Sequence, residues 1–260
     1  MSEPVRVEQK DARSMGKAKE SGFVAELVKV LVQALVIALI VRTVLFQPFN
    51  IPSGSMIPTL QVGDYLFVSK YAYGYSRYSL PLGLDLFSGR IFASPPKRGD
   101  VIVFKLPRNT GDDYIKRLIG LPGDKIQMKE GRLYINGEIV PREPIEKVTY
   151  RGTRDVPTYR ETLPGGVSHT IIQIESDHGF YGNTGVYEVP SNHYFMMGDN
   201  RDDSSDSRVS PDQSGVGYVP FENLVGRAEV IFFSVDGAPA WAVWEWPWTV
   251  RWNRLFQLVK

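Results

Sequence analysis

The stretch DVIVFKLPRNTGDDYIKRLIGLPGDKIQM, Asp100–Met128, decides the fold class. Three runs within it are rich in β-branched and aromatic residues: DVIVFKL (Asp100–Leu106), DYIKRLIG (Asp113–Gly120) and KIQM (Lys125–Met128). Such runs form strands, because their side chains pack well on a pleated surface. Gly-Asp precedes two of them, at Gly99-Asp100 and Gly123-Asp124, and also precedes DYLFVSK (Asp64–Lys70). These pairs are turn signals at strand entry. RLYIN (Arg132–Asn136) continues the series, and Asn136-Gly137 reads as a tight hairpin turn joining RLYI to EIV.

Outward toward the C-terminus, TIIQIE (Thr170–Glu175), HYFMMGDN (His193–Asn200) and NLVGRAEVIFFSVD (Asn223–Asp236) add further strands. The expected fold is therefore mainly β. Between Pro141 and Val189 the composition shifts to charges, Gly and Thr. We read residues 125–190 as a second, smaller β domain inserted into a main β domain made of 47–124 and 191–260. The Tyr-, Gly-, Ser- and Pro-rich stretch Ala72–Lys97 is a long excursion for a compact domain, as functional loops are.

Outward toward the N-terminus the pattern is different. Leu27–Phe46 has a nearly uninterrupted apolar core, LVQALVIALIV (Leu31–Val41), and at 1.5 Å per residue it is long enough to cross a bilayer. It is apolar all round rather than along one stripe. Residues 23–46 are thus expected to be a single transmembrane helix after a flexible polar tail, 1–22. Arg6, Lys10, Arg13, Lys17 and Lys19 precede it, and after Arg42 no Lys or Arg occurs until Lys70. The positive-inside rule places the N-terminus in the cytoplasm and the β domains across the membrane. FQPFNIP, after the apolar run, lacks a small-x-small cleavage site, so the helix should be retained as an anchor. All five Trp lie in WAVWEWPWTVRW, Trp241–Trp252. Tryptophan favours membrane interfaces, so this segment either touches the outer leaflet or closes the β core.

Composition excludes several classes. With 43% hydrophobic residues and a net charge of +1 the chain is neither disordered nor a nucleic-acid-binding polycation. It has no cysteine, which removes disulfides, thiolate metal sites and a cysteine nucleophile. His169, His178 and His193 are not spaced as a metal motif, and no metal or cofactor is expected.

The chemistry centres on IPSGSMIPTL, Ile51–Leu60. Pro52 and Pro58 stiffen its flanks. Gly54 lets the chain turn where a Cβ would obstruct it. The loop should present Ser53 and Ser55. A serine nucleophile needs a base, either one of the three histidines in a triad or a lysine. A lysine, with an ordinary pKa of about 10.4, must be shifted down by several units, and desolvation is the usual cause. Lys116 in DDYIKRLIG is the best placed. On a strand it shares a face with Tyr114 and Leu118, while Asp113, Ile115 and Arg117 share the other, where Asp113 could pair with Arg117. Lys105 in VIVFKL is a weaker candidate.

Five blocks carry a resemblance. IPSGSMIPTL, GDYLFVSKYAYG, PKRGDVIVFKLP, DYIKRLIGLPGDKI and YFMMGDNRDDSSDSR, in this order and spacing, resemble the bacterial signal peptidase I (leader peptidase) family, over roughly Phe46–Gln127 and His193–Ser234. The resemblance implies a Ser-Lys serine protease, anchored in the bacterial inner membrane, with its active site on the periplasmic side. It implies Ser55 as nucleophile, Lys116 as general base, and Ser53 as oxyanion donor beside the Ser55 N–H. Ser204 and Asp206 match residues that support the lysine, and Asp199, Asn200, Arg201 and Arg208 should hold their loop. The implied substrates are signal peptides of exported preproteins, cut after small-x-small sequences by an enzyme expected to act as a monomer. Phe49, Ile51, Met56, Leu60, Val103 and Ile115 are the expected walls of shallow pockets. The chain departs from the best-known members in having one membrane segment instead of two. Its insert, 141–189, matches weakly and lacks the cysteines of some relatives.

Overall fold

The computed structural model describes residues 9–80, 87–174, 181–237 and 241–260. Glu175, His178 and part of the Ala72–Lys97 excursion lie outside the described residues. The chain divides into two compact units, Met1–Arg42 and Thr43–Lys260.

The first unit is built on one helix, α1, Gln9–Ile40, of 32 residues. A π-helical turn, Val41–Leu45, follows it. Phe23–Leu45 is long and apolar enough to cross a membrane, and none of it is buried. Val24, Leu27, Val28, Leu31, Leu35 and Ile37 point outward on every side, so no stripe is reserved for a protein core. Two boundaries differ from expectation. Residues 9–22 are helical instead of irregular, because a helix already nucleated by the apolar run propagates cheaply through good helix formers such as Ala12, Ala18 and Lys19. Phe46 belongs to the first strand, where it pairs with Ser69.

The second unit is mainly strand. β1 (Phe46–Asn50) and β2 (Asp64–Ser69) flank the serine loop, and β3 (Val101–Leu106) and β4 (Asn109–Gly120) carry the opening stretch. Then come β5 (Lys125–Lys129), β6 (Arg132–Ile135), β7 (Glu138–Ile139), β8 (Arg142–Pro144), β9 (Val148–Tyr150) and β10 (Thr153–Val156). β11 (Thr158–Thr162), β12 (Ser168–Ile172) and β13 (Tyr187–Glu188) follow. β14 (His193–Met197), β15 (Val219–Pro220), β16 (Leu224–Ser234) and β17 (Gln257–Leu258) complete the order. The principal sheet runs β1-β2-β16-β3-β4-β14-β15, with β17 also on β16. Its pairings are antiparallel. β5–β13 form three smaller sheets.

The alternation in VIVFKL shows why the sheet is buried on both faces. Val101 and Val103 join one core with Ile51, Met56, Leu60 and Ile115. Ile102, Phe104 and Leu106 join another with Leu118 and Met196. Each fully buried side chain of this size stabilises the fold by roughly 1.5–3 kcal/mol. A third cluster ties Ile119, Phe195 and Met197 to Ile126, Met128, Leu133 and Ile135 of the smaller sheets. Asn136 and Gly137 both have positive φ, +55° and +84°, as the two-residue turn between β6 and β7 requires.

Candidate active site

The serine loop is clamped at its base and packed on its underside. Ile51 N–H donates to Asp64 O at 2.8 Å and Gly63 N–H to Ile51 O at 2.9 Å. Met56 and Leu60 turn down into the core, which forces Ser55 between them and the cleft above. Ser55 is 7% exposed and Lys116 is 4% exposed. Lys116 Nζ lies 2.6 Å from Ser55 Oγ and donates to Ile115 O at 3.0 Å. It also sits 5.4 Å from the centroid of the Tyr114 ring, which shares its strand face. Two residues 61 positions apart in the chain are thus in direct contact.

Burial pushes the Lys116 pKa down to about 8, with Arg208 adding to the shift while Asp206 and Asp199 oppose it. Burial outweighs that opposition, and both carboxylates are themselves bound by arginines. Asp206 is bound by Arg208, at 2.9 Å through Nε and 2.8 Å through Nη2, and takes the Gly198 N–H at 3.0 Å. Asp199 is held bidentately by Arg117, at 2.8 and 2.7 Å. Desolvation opposes the charged form of these two carboxylates, yet their arginine partners hold both below the usual range. Among the described residues no carboxylate forms an ion pair with Lys116.

The loop expected to support the lysine makes no direct hydrogen bond with it among the described residues. Ser204 Oγ is buried close enough to act on the Asp206 carboxylate, but outside hydrogen-bonding geometry to any partner. Gly198 explains the tightness of this corner. A Cβ there would come within 2.3 Å of Ser204 Oγ and 2.5 Å of the Ser55 carbonyl oxygen. Arg201 pairs with Glu161 of β11, and Asn200 N–H donates to Ser55 O at 3.1 Å. Asp199, Asn200, Arg201 and Arg208 therefore hold this loop against the serine loop and the smaller sheets.

The cleft above Ser55 has a volume of about 1290 Å³ and is lined by Ser53, Ser55, Lys116, Phe49 and Ile115 among others. Ser53 is exposed in it. Of the six positions expected to form its walls, only Phe49 and Ile115 do so. Ile51, Met56, Leu60 and Val103 are core residues beneath the loop. Apolar side chains next to a nucleophile in sequence are as readily used to anchor its loop as to meet a substrate.

The paired face of β4 also differs from expectation. Asp113 meets Lys105 at 2.9 Å, and Arg117 meets Asp199. Four residues along a strand span about 13 Å, too far for an ion pair, whereas Lys105 stands directly opposite Asp113 in the register. That pairing turns Lys105 to Asp113, and the lysine does not line the cleft that holds Ser55. Neither His169 nor His193 lines the cleft. His169 is buried behind Glu161 and Asp199, 3.5 and 3.9 Å away, and burial pushes its pKa down to about 4.

Sequence reasoning missed one wall altogether. Thr149, Tyr150, Arg151 and Gly152, from the β9–β10 hairpin, line the cleft with Asp203. No motif marks the hairpin. Asp203 lies within GDNRDDSSDSR, and its position in that block was the only available signal.

A serine against a buried lysine of lowered pKa, in an open cleft on a β scaffold, has the form of a hydrolase site. The chain belongs to the signal peptidase, peptidase S26, family, whose model matches residues 24–233. It is a serine protease by that membership. It is 45% identical over 207 residues to signal peptidase I of Rickettsia typhi, covering 76% of each chain. To signal peptidase I of Rickettsia massiliae it is 42% identical over 240 residues, covering 85% of this chain and 88% of the other. A crystal structure of a signal peptidase I from Enterococcus faecalis is 28% identical and covers 52% of this chain and 97% of its own, with a TM-score of 0.30.

Proposed function

We propose that the protein is a membrane-anchored endopeptidase that removes signal peptides from exported preproteins, with Ser55 as nucleophile and Lys116 as general base. The observation that carries the reading is the 2.6 Å contact between Ser55 Oγ and a buried Lys116 whose pKa is lowered to about 8. A neutral amine at that distance accepts the Ser55 proton as Oγ attacks the scissile carbonyl. The oxyanion is met by the Ser55 N–H and the Ser53 hydroxyl, where negative charge develops. The lysine ammonium then protonates the leaving amine, and the neutral lysine activates water to release the acyl-enzyme. All these groups come from one chain, which fits action as a monomer.

The substrate enters as an added strand. From Asn109 to Lys116 the edge of β4 away from β3 carries no strand partner among the described residues, and Asp113–Lys116 line the cleft. Main-chain pairing there would fix an extended cleavage site. Phe49, Ile57, Tyr114 and Ile115 supply the apolar part of the cleft wall, against which the small side chains of a small-x-small sequence would pack. We place the N-terminus in the cytoplasm of the bacterial inner membrane and the second unit on its periplasmic side, from the basic residues before Phe23. Within the second unit we assign 47–124 and 191–260 to the catalytic domain and 125–190 to its insert.

The test is incubation of the detergent-solubilised protein with a purified preprotein. A single cut after small-x-small is expected, abolished in both Ser55→Ala and Lys116→Ala while each variant stays folded. Cleavage retained by Lys116→Ala removes the lysine from the mechanism.

A further inference from the structure

Tyr150 stands at the end of β9, far from every motif, yet it reaches the serine loop. Its ring and hydroxyl lie against Gly54: a Cβ on that glycine would meet Tyr150 Oη at 3.0 Å and Cε2 at 3.4 Å. Gly54 is not among the residues of positive φ, so what favours a glycine here is the tight space between Tyr150 and Ile57. Tyr150 is 6% exposed and packs with Val148, Val156 and Ile172 against Ile57 of the serine loop.

A chain of hydrogen bonds runs from this tyrosine to the nucleophile's own peptide. Tyr150 Oη donates to Asp203 Oδ2. Asp203 N–H donates to Asn200 Oδ1 at 3.2 Å. Asn200 Nδ2 donates to Gly54 O at 3.2 Å. The Gly54–Ser55 peptide is trans, so its C=O and N–H point in opposite directions. The Gly54 carbonyl also takes the Ile57 N–H at 3.2 Å, so Asn200 and that turn together fix where the Ser55 N–H points. Arg151 Nη2, 2.9 Å from the same Asp203 oxygen, closes the link on its solvent side.

We propose that Tyr150 is a positioning residue for the oxyanion-binding peptide. Through Asp203 and Asn200, and by direct packing on Gly54, it holds the Ser55 N–H toward the carbonyl oxygen of the scissile bond. The inference rests on the reading of Ser55 as nucleophile and oxyanion donor. It gives the β9–β10 hairpin a part in turnover. Burial and the bond to Asp203 both raise the tyrosine pKa, which keeps its hydroxyl a donor across the working range.

The test is steady-state cleavage of one preprotein by the full chain in detergent, for wild type, Tyr150→Phe and Tyr150→Ala. An oxyanion donor contributes about 10²–10³ in kcat, and a misaimed one loses part of that. On that scale kcat should fall about fivefold in Tyr150→Phe, which loses only the hydroxyl link, and about fiftyfold in Tyr150→Ala, which also frees Gly54. KM should stay within twofold, and the pH at half-maximal kcat/KM should not move, because the surroundings of Lys116 are untouched. Wild-type kcat in Tyr150→Phe, a loss confined to KM, or a moved pH midpoint would each overturn the proposal. If Tyr150→Ala does not fold by circular dichroism, Tyr150→Phe decides alone, since its ring keeps the packing. Ser55→Ala and Lys116→Ala are run beside them. Turnover in either defeats the Ser-Lys reading, whereas inactivity in both with normal Tyr150 variants defeats this inference only.

Discussion

Replacing Lys116 with methionine separates what the buried amine does for catalysis from what it costs the fold. The lysine pKa is lowered from 10.5 to about 8, chiefly by burial. At about 1.4 kcal/mol per unit, the protonated form is disfavoured in the folded protein by roughly 3 kcal/mol. The unfolded chain binds the proton more tightly, so between pH 8 and 10.5 stability rises as pH rises. Below pH 8 the full cost is present. Methionine fills a similar volume without a charge, but it leaves Ile115 O and Ser55 Oγ without their lysine partner. The expected net gain at pH 7 is therefore on the order of 0–2 kcal/mol, shrinking toward zero or below near pH 10. Urea unfolding of both proteins at pH 7 and 10, followed by near-ultraviolet circular dichroism, measures it. In parallel, kcat/KM of the wild type should rise about tenfold per pH unit and level near pH 8, while the methionine variant is inactive throughout. A wild-type midpoint near 10, or a methionine variant less stable than wild type at pH 7 by more than about 2 kcal/mol, would refute the claim that desolvation poises this lysine.

Other consequences follow from neighbouring residues. Asp199→Asn leaves Arg117 buried with half its carboxylate gone, so the thermal midpoint should drop by an amount equivalent to about 3–5 kcal/mol, readable by calorimetry. Gly198→Ala would drive a methyl to 2.5 Å from the Ser55 carbonyl oxygen, and preprotein cleavage should fall at least about a hundredfold while secondary structure persists. His169, with its pKa lowered to about 4, contributes stability that is complete above pH 6.5 and is lost as pH falls toward 4; His169→Gln should flatten the unfolding profile over that window. Every tryptophan lies between Trp241 and Trp252, with Trp241, Trp244, Trp248 and Trp252 largely exposed. If this segment touches the outer leaflet, brominated lipids should quench the intrinsic fluorescence of the reconstituted chain, and unchanged emission would place it in water.

Residue type and local spacing made much of the fold legible. DVIVFKL and NLVGRAEVIFFSVD form the strands their β-branched residues predict, and Asn136-Gly137 makes the expected hairpin. Local reasoning failed where partners are remote. Asp113 finds Lys105 across the hairpin, and Arg117 finds Asp199, 82 positions away, because strand neighbours are set by register instead of sequence distance. Ile51, Met56, Leu60 and Val103 illustrate the same limit from another side. Their apolar character was plain, but only the packing shows that they support the serine loop from below.

The amino-acid sequence by itself determined the apolar helix, the series of strands, and a serine and a lysine set in the blocks of a known peptidase family. It could not lower a pKa or aim an N–H. Those depend on how far water is excluded and on which groups stand within a few ångströms, and both are properties of the folded chain. Tertiary structure placed Lys116 beside Ser55, buried it so that desolvation outweighs the nearby Asp206 and Asp199, which are bound by arginines, and set Tyr150 against Gly54.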